Sequence, residues 1–206
     1  MSSKLTLPMF LVAAATGLAC APAAHAVTVF TATLSGAQEF PVTGSPTATG
    51  FGTFILNDAQ TALAWNVSVS GIDFTGAQST AANDNLTNAH IHRAPPGAPG
   101  PVVWGFIGTP FNDTNPTDTV VSPFPSGLGG TVSSKWDAPE GNNTTLTAEL
   151  ANLLAGNTYI NFHTVQFPGG AVRGQILPVV PEPGTLALLA TALVAGGGVM
   201  RRRTAR

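Results

Sequence analysis

The stretch TYINFHTVQFPGGAVRGQI, residues 158–176, contains two runs of strand-forming residues separated by a tight turn. Aromatic and β-branched residues alternate with polar ones in both runs, which is the period of a half-buried β-strand. Pro168, Gly169 and Gly170 lie between the runs and supply turn residues. We therefore predict an antiparallel β-hairpin, with Gly169 and Gly170 in structural roles at its turn.

The rest of the body predicts short strands separated by turn-rich loops. Apolar and β-branched runs predict further strands at residues 27–36, 51–56, 63–69, 88–93, 102–107 and 130–136. Strand 63–69 shows the clearest alternation of apolar and polar residues, so one of its faces is buried. The sequence therefore predicts an all-β fold: an antiparallel β-sandwich or Greek-key barrel of about eight strands with one short helix.

Two segments between the strands are less regular. Residues 147–154 are the helical candidate, with Thr145 or Thr147 as its N-cap and Gly156 just beyond its end. Residues 109–127 are unusually long for a loop, so they are either a surface feature or conceal a short strand.

The body carries few charges. Arg93, Lys135 and Arg173 stand against nine carboxylates, which leaves a net charge of −6 between the two terminal segments. Binding of nucleic acid or anionic lipid needs a cluster of basic residues, which three scattered cations do not provide. We therefore expect no nucleic-acid partner.

Residues 1–26 have the features of a secretory signal peptide. A long apolar run ends at Ala24-His25-Ala26, which places small residues at both positions that a signal peptidase reads. We predict cleavage by signal peptidase before Val27. The alternatives are a buried N-terminal helix and a lipoprotein anchor at Cys20. Because Cys20 is the single cysteine of the chain, the exported body has no disulfide and no thiol chemistry.

Residues 179–206 read as a second targeting segment. Pro181-Glu182-Pro183 precedes the apolar run 184–200, and Arg201, Arg202 and Arg203 follow it. The run is near the short limit for a transmembrane helix, and its arginines would stay in the cytoplasm, so the body lies on the periplasmic side. This order resembles the PEP-CTERM sorting signal of Gram-negative bacteria, which implies cleavage by an exosortase and delivery to the cell surface or extracellular matrix. The alternative is a permanent membrane anchor.

Five fragments of the body follow one another in an order known from one family. They are LSGAQE (34–39), AHIH (89–92), LAG (154–156), YINFHT (159–164) and PGGAVRGQI (168–176). In this order they resemble the CHRD domain, named from chordin. The resemblance spans about residues 28–177, almost the whole body, and implies an extracellular all-β module with no established catalytic activity.

The histidines of the body lie on two predicted strands. His90 and His92 share one strand face, and His163 lies on the face opposite its apolar neighbours. If the two strands are close, three imidazoles converge, a ligand set that suits Zn or Cu with an open position. The alternative is structural: the imidazoles bond across strands and to loop carbonyls, which fixes the proline-rich loop after His92.

A His-x-His strand in an exported β-domain is also similar to Cu/Zn superoxide dismutase. The cysteines of that enzyme and its further metal ligands are absent from the body, which counts against a dismutase.

Arg173 and Gln175 lie on the polar face of the hairpin. We predict that Arg173 pairs with a carboxylate such as Glu39 and holds strand ends together, the alternative being an acidic partner. No motif of a serine hydrolase or glycosidase is present. The favoured function is a non-enzymatic surface or matrix module that contacts polysaccharide or protein and needs no cofactor. The alternative is a Cu- or Zn-binding domain with redox or hydrolytic activity.

Overall fold

Nine strands and one α-helix account for the regular structure of residues 27–179, which a computed structural model describes. The strands are β1 (Thr28–Ser35), β2 (Thr49–Leu56), β3 (Ala62–Ser70), β4 (Leu86–Arg93), β5 (Val102–Ile107), β6 (Val120–Pro123), β7 (Gly129–Asp137), β8 (Thr158–Thr164) and β9 (Val172–Pro178). The helix is α1 (Leu146–Leu154), and single turns of 3-10 helix occur at Gly36–Gln38 and Ala82–Asp84.

The strands form one antiparallel sheet in the order β5-β4-β8-β9-β1-β2-β3-β7-β6. The sheet curls into a half-barrel, and the predicted all-β class is confirmed. The strands form one continuous sheet instead of the two facing sheets of a β-sandwich. All eight predicted strands are present. The ninth, β6, is a short edge strand inside the suspected loop 109–127, and all four of its residues are exposed.

The core lies on the concave side of this sheet. Alternate residues of β3 are buried, as their spacing predicts. Trp104 of β5 stacks on Trp136 of β7 at a ring distance of 5.8 Å, and Phe106 packs edge-on against Trp65 of β3. Strands far apart in the sheet order therefore touch, because burying these large aromatic surfaces favours a curled sheet.

The α-helix begins where its capping residue predicts. The Thr145 side chain accepts a hydrogen bond from the backbone N–H of Ala148, so Thr145 rather than Thr147 is the N-cap. Glu149 is buried in the first turn and binds Arg93 of β4 at 3.0 Å. This ion pair fastens the helix to the end of β4.

Buried carboxylates organise the irregular segments. Asp73 accepts hydrogen bonds from the backbone N–H groups of Thr75, Gly76 and Ser79. Burial would raise its pKa, but these hydrogen bonds outweigh burial and lower it. Asp113 similarly binds the N–H groups of residues 118 and 119.

Glu140 is a third buried carboxylate that orders a loop, here the long segment after β5. Its carboxylate accepts from the Trp104 indole and from the backbone N–H groups of Thr114, Asn115 and Asp137. Buried polar groups need such partners. Glu140 therefore fixes the loop that follows β5 to the turn that follows β7.

The predicted signal peptide (residues 1–26) and the sorting segment from residue 180 onwards lie outside the described residues, as does the predicted span 184–200. Of the helices found in residues 27–179, none has the length and apolar character needed to cross a membrane.

Candidate metal centre

Pairing of β4 with β8 brings the three histidines together. In the antiparallel register, His90 lies opposite Asn161, His92 lies opposite Tyr159, and His163 lies opposite Asn88. Side chains of directly opposed residues and their diagonal neighbours are within reach of one another on one sheet face. All three imidazoles therefore project from the same face, on the side opposite the buried Ile91 and the aromatic core.

The three imidazoles form one buried cluster. His90, His92 and His163 are 5%, 8% and 7% exposed, so each is largely shielded from solvent. One ring nitrogen from each residue lies within 4.8 Å of the other two. The closest approach is 3.3 Å, between Nδ1 of His90 and Nε2 of His163.

The other ring nitrogen of each histidine contacts a backbone carbonyl oxygen. Nε2 of His90 lies 3.1 Å from the Thr109 oxygen, and Nδ1 of His92 lies 3.0 Å from the Gly100 oxygen. Nδ1 of His163 lies 2.9 Å from the Pro168 oxygen. Because a carbonyl only accepts hydrogen bonds, these nitrogens must carry the protons.

The tautomers follow from these contacts. A neutral imidazole carries one proton, so Nδ1 of His90, Nε2 of His92 and Nε2 of His163 are left with lone pairs. Two of these lone pairs face each other at 3.3 Å without a hydrogen between them. Nε2 of His92 is buried and has no partner within the described part of the chain.

Burial keeps the rings neutral. It lowers the pKa of His90 to about 4, with a further contribution from His163, and lowers that of His92 to about 4. Burial also lowers the pKa of His163. The proton that could bridge two facing nitrogens is therefore absent near neutral pH, and three unprotonated ring nitrogens lie in one buried cluster.

The spacing of the cluster suits a transition metal. Two nitrogens that bind a tetrahedral ion at about 2.0–2.1 Å lie about 3.3–3.4 Å apart. The separation of 3.3 Å between His90 and His163 matches this geometry. The carbonyl contacts are the outer-shell hydrogen bonds that typically orient metal-binding histidines. Three imidazoles with a free fourth position suit Zn or Cu.

A stack of side chains supports His92. The Tyr159 ring lies parallel to the His92 ring at 4.7 Å, and the Arg173 guanidinium lies 3.5 Å from the centre of the Tyr159 ring. The ring stacking and the cation–π contact fix the relative positions of His92, Tyr159 and Arg173. The orientation of His92 is therefore set by two strands besides its own.

The same face holds down loop 94–101. Arg173 donates to the carbonyl oxygens of Ala98 and Pro95, and Gln175 donates to that of Ala94. The predicted ion pair between Arg173 and Glu39 is wrong: among residues 27–179, the two form no ion pair. The guanidinium donates its hydrogen bonds to loop carbonyl oxygens instead.

Glu39 and Asn161 lie beside the cluster with unsatisfied oxygens. Glu39 follows the first turn of 3-10 helix, and its Oε2 accepts a 3.4 Å hydrogen bond from Nδ2 of Asn161. Oε1 of Glu39 and Oδ1 of Asn161 are buried without partners in the part of the chain that the structure describes. Burial raises the pKa of Glu39 to about 7, although the charge of Arg173 opposes the rise.

The two turn glycines have different surroundings. Gly169 faces open space, whereas a side chain on Gly170 would begin 2.5 Å from both carboxylate oxygens of Glu39. Gly170 also has φ +138°, a conformation that favours glycine. The turn after β8 therefore leaves room for the Glu39 carboxylate.

Sequence reasoning identified the three imidazoles but missed the features that fix their protonation. The carbonyls of Gly100, Thr109 and Pro168 come from loops, and carbonyls carry no residue-specific signal. The two-residue period of a strand does place Asn161 on the same face of β8 as His163, but it gives no sign of the contact between Asn161 and Glu39.

Comparison with known proteins agrees with this architecture. The CHRD domain family matches residues 30–176, and the PEP-CTERM protein-sorting motif matches residues 179–203. A search of curated proteins and of solved structures found no match. The PEP-CTERM motif is a signal for exosortase processing, and it implies export and a cell-surface or extracellular location. Because the family match covers most of the chain, the chain belongs to the CHRD domain family.

Proposed function

We propose that this exported CHRD protein binds a copper or zinc ion through His90 Nδ1, His92 Nε2 and His163 Nε2. One observation carries the proposal: each imidazole contacts a carbonyl oxygen with one nitrogen, and one ring nitrogen from each of the three lies within 4.8 Å of the other two. A purely structural cluster has no need for facing lone pairs, which repel each other.

The residues fit such an ion without rearrangement of the strands. All three ligands come from adjacent strands of a rigid sheet, and their outer-shell carbonyls come from three separate loops. Neutral imidazoles need not lose a proton before they bind a metal. When bound, the ion supplies a Lewis acid and, if it is copper, a one-electron redox centre.

The test separates metal binding from loop attachment. Asn at position 163 or 92 can place its amide N–H near the former Nδ1 and keep the bond to the Pro168 or Gly100 oxygen, but it removes Nε2. Gln at position 90 likewise keeps a donor for the Thr109 oxygen and removes Nδ1. His163→Asn, His92→Asn and His90→Gln therefore delete a ligand and preserve the loop contact.

Zn²⁺ and Cu²⁺ binding would be measured by calorimetry and elemental analysis on the exported protein, purified without an affinity tag. We expect one ion per unmodified chain. Each substitution should weaken binding by more than the 10–100-fold that loss of an outer-shell partner causes. Asn88→Ala is the matched control, because Asn88 accepts from the Thr109 N–H and supplies no ligand. Absence of a stoichiometric ion from the unmodified protein would refute the proposal.

A second candidate keeps the histidines structural. The contacts to Gly100, Thr109 and Pro168 fasten three loops, as expected of a surface module that contacts polysaccharide or protein without a cofactor. In that case the substitutions above, which keep the loop contacts, would leave both the stability of the protein and its trace metal binding nearly unaltered. Pull-down from native extracellular matrix would then identify the partner.

The location of this activity rests on the two terminal segments. We propose that signal peptidase removes residues 1–26 and that the sorting motif delivers the body through the periplasmic side to the surface or extracellular matrix. Deletion of residues 181–206 should change the fraction in which the protein accumulates. An unchanged distribution after this deletion would contradict the proposed sorting.

A further inference from the structure

The surroundings of the metal cluster contain two further buried oxygens that lack partners. They are Oδ1 of Asn161 and Oε1 of Glu39. Burial of an acceptor without a donor destabilises a folded protein, so such atoms in a native fold call for a missing donor. Neither oxygen belongs to the ligand set described above.

Asn161 lies between the ligands. It is directly opposite His90 in the pairing of β4 with β8, and it precedes His163 by two residues on the same strand face. Its Nδ2 donates to Oε2 of Glu39, and this contact fixes the orientation of the amide. Oδ1 is thereby left as an acceptor on the face that carries the imidazoles.

Arg173 does not satisfy these oxygens. Its guanidinium donates to the carbonyls of Ala98 and Pro95 and to the Gln175 side chain. Glu39 therefore has a cation nearby but no hydrogen from it. Among residues 27–179, no group donates a hydrogen bond to Oε1 of Glu39 or to Oδ1 of Asn161.

A path from solvent reaches Glu39. A cavity of about 270 Å³ opens between the loop after β1 and the loop after β4, and Glu39 and Arg173 are part of its lining. Phe40 and Val42 on its rim are more than half exposed. The cavity therefore brings solvent next to the Glu39 side chain without unfolding a strand.

Building on the metal centre proposed above, we propose that Asn161 Oδ1 and Glu39 Oε1 accept the hydrogens of an exchangeable fourth ligand on the ion. The open coordination position then selects water or another small hydrogen-bond donor. It disfavours a bare anion, whose lone pairs would face two oxygens that also have only lone pairs to offer. Asn161 and Glu39 act here as positioning residues, since neither is a ligand.

Azide binding to the copper-loaded protein tests this selection. Azide binds Cu²⁺ directly, carries no hydrogen, and gives a charge-transfer absorption that reports its affinity. At pH 8, Glu39→Gln removes the negative charge at nearly constant shape, and we expect azide affinity to rise by about tenfold. Asn161→Leu removes the second acceptor and should raise azide affinity as well.

Glu149→Gln is the matched control, because Glu149 is a buried carboxylate bonded to Arg93, which lies on the face of β4 opposite His90 and His92. It should leave azide affinity unchanged. Copper stoichiometry and near-ultraviolet circular dichroism check that each variant is loaded and folded.

The outcomes separate the two proposals. If the unmodified protein binds neither copper nor zinc, the proposed metal centre fails. If every variant holds copper and azide affinity is the same in all of them, the metal centre stands and the selection by Glu39 and Asn161 is overturned.

Discussion

Two sets of buried polar groups in this domain have opposite environments. Around Glu140, as around Asp73 in the segment after β3, backbone N–H groups surround each carboxylate. On the polar face of β4, β8 and β9, by contrast, His92, Glu39 and Asn161 each keep one buried atom without a partner. Both regions are buried, but only the first is complete within residues 27–179.

The difference separates groups that stabilise the fold from groups that are available to a ligand. A carboxylate with hydrogen-bond partners offsets its desolvation cost through those bonds and orders a loop, so its removal lowers stability. An unsatisfied atom costs stability in the free protein, so its removal costs binding instead. Substitutions in the two regions should therefore have opposite consequences.

The largest effect is expected at Glu140. Glu140→Ala leaves the Trp104 indole and three backbone N–H groups without their acceptor, and we expect the free energy of unfolding to fall by about 4 kcal/mol. The free energy of unfolding of Glu140→Gln should lie between those of the unmodified protein and Glu140→Ala, because the amide retains only one acceptor oxygen. Urea denaturation measures both. A loss below about 1 kcal/mol for Glu140→Ala would show that this carboxylate does not organise the loop.

The second effect is stabilisation by the ion. Zn²⁺ at a hundred times its dissociation constant should raise the free energy of unfolding of the unmodified protein by about 2.7 kcal/mol. His163→Asn should abolish this gain and leave the metal-free protein nearly as stable, because the bond to Pro168 is kept. Thermal unfolding with and without Zn²⁺ checks this, with Asn88→Ala as control. An equal gain in His163→Asn would contradict the ligand assignment.

The third effect is the pH dependence due to Glu39. Its folded pKa of about 7 lies above the ordinary value of 4.5, so between these pH values the folded state binds more protons than the unfolded state. This contribution is fully present below pH 4.5 and is lost as pH rises through 7.

The contribution of Glu39 can be isolated by comparing the unmodified protein with Glu39→Gln at each pH, because every other titratable group is present in both proteins. The difference in free energy of unfolding between the two proteins should slope across pH 4.5–7. A difference that is flat over this range would contradict the raised pKa.

The smallest effect concerns the loop that the polar face holds. Arg173→Lys cannot keep both carbonyl contacts and the planar contact with Tyr159, and we expect a loss of about 1 kcal/mol. Hydrogen exchange should become faster at the amide of Gly100, which donates to the Tyr159 hydroxyl. Zn²⁺ stoichiometry should not change, and a lost ion would mean that Arg173 is needed for the site itself.

The parts of the fold that follow from local alternation were predictable. The hairpin of β8 and β9 and the shared face of His90 and His92 need only the two-residue period of a strand. β6 was harder to identify because Val120 and Val121 are exposed and give no alternating pattern. A short edge strand is determined by the neighbour it pairs with, here β7.

The state of the candidate site could not be predicted from its ligands alone. Proton placement on His90, His92 and His163 depends on carbonyls that loops bring from elsewhere in the chain. The wrong pairing of Arg173 with Glu39 has the same origin, because the sequence does not reveal that loop 94–101 folds back over β9.

The two histidines in closest contact are separated by 73 positions along the chain. The body contains no cysteine, so after export no disulfide can cross-link it. An ion shared by His90 and His163 would close a loop of that length, the kind of long closure that restricts an unfolded chain most. Outside the cell, where chaperones and ATP are absent, the metal would then take the place of a covalent cross-link. The lifetime of the folded domain would follow the supply of the ion.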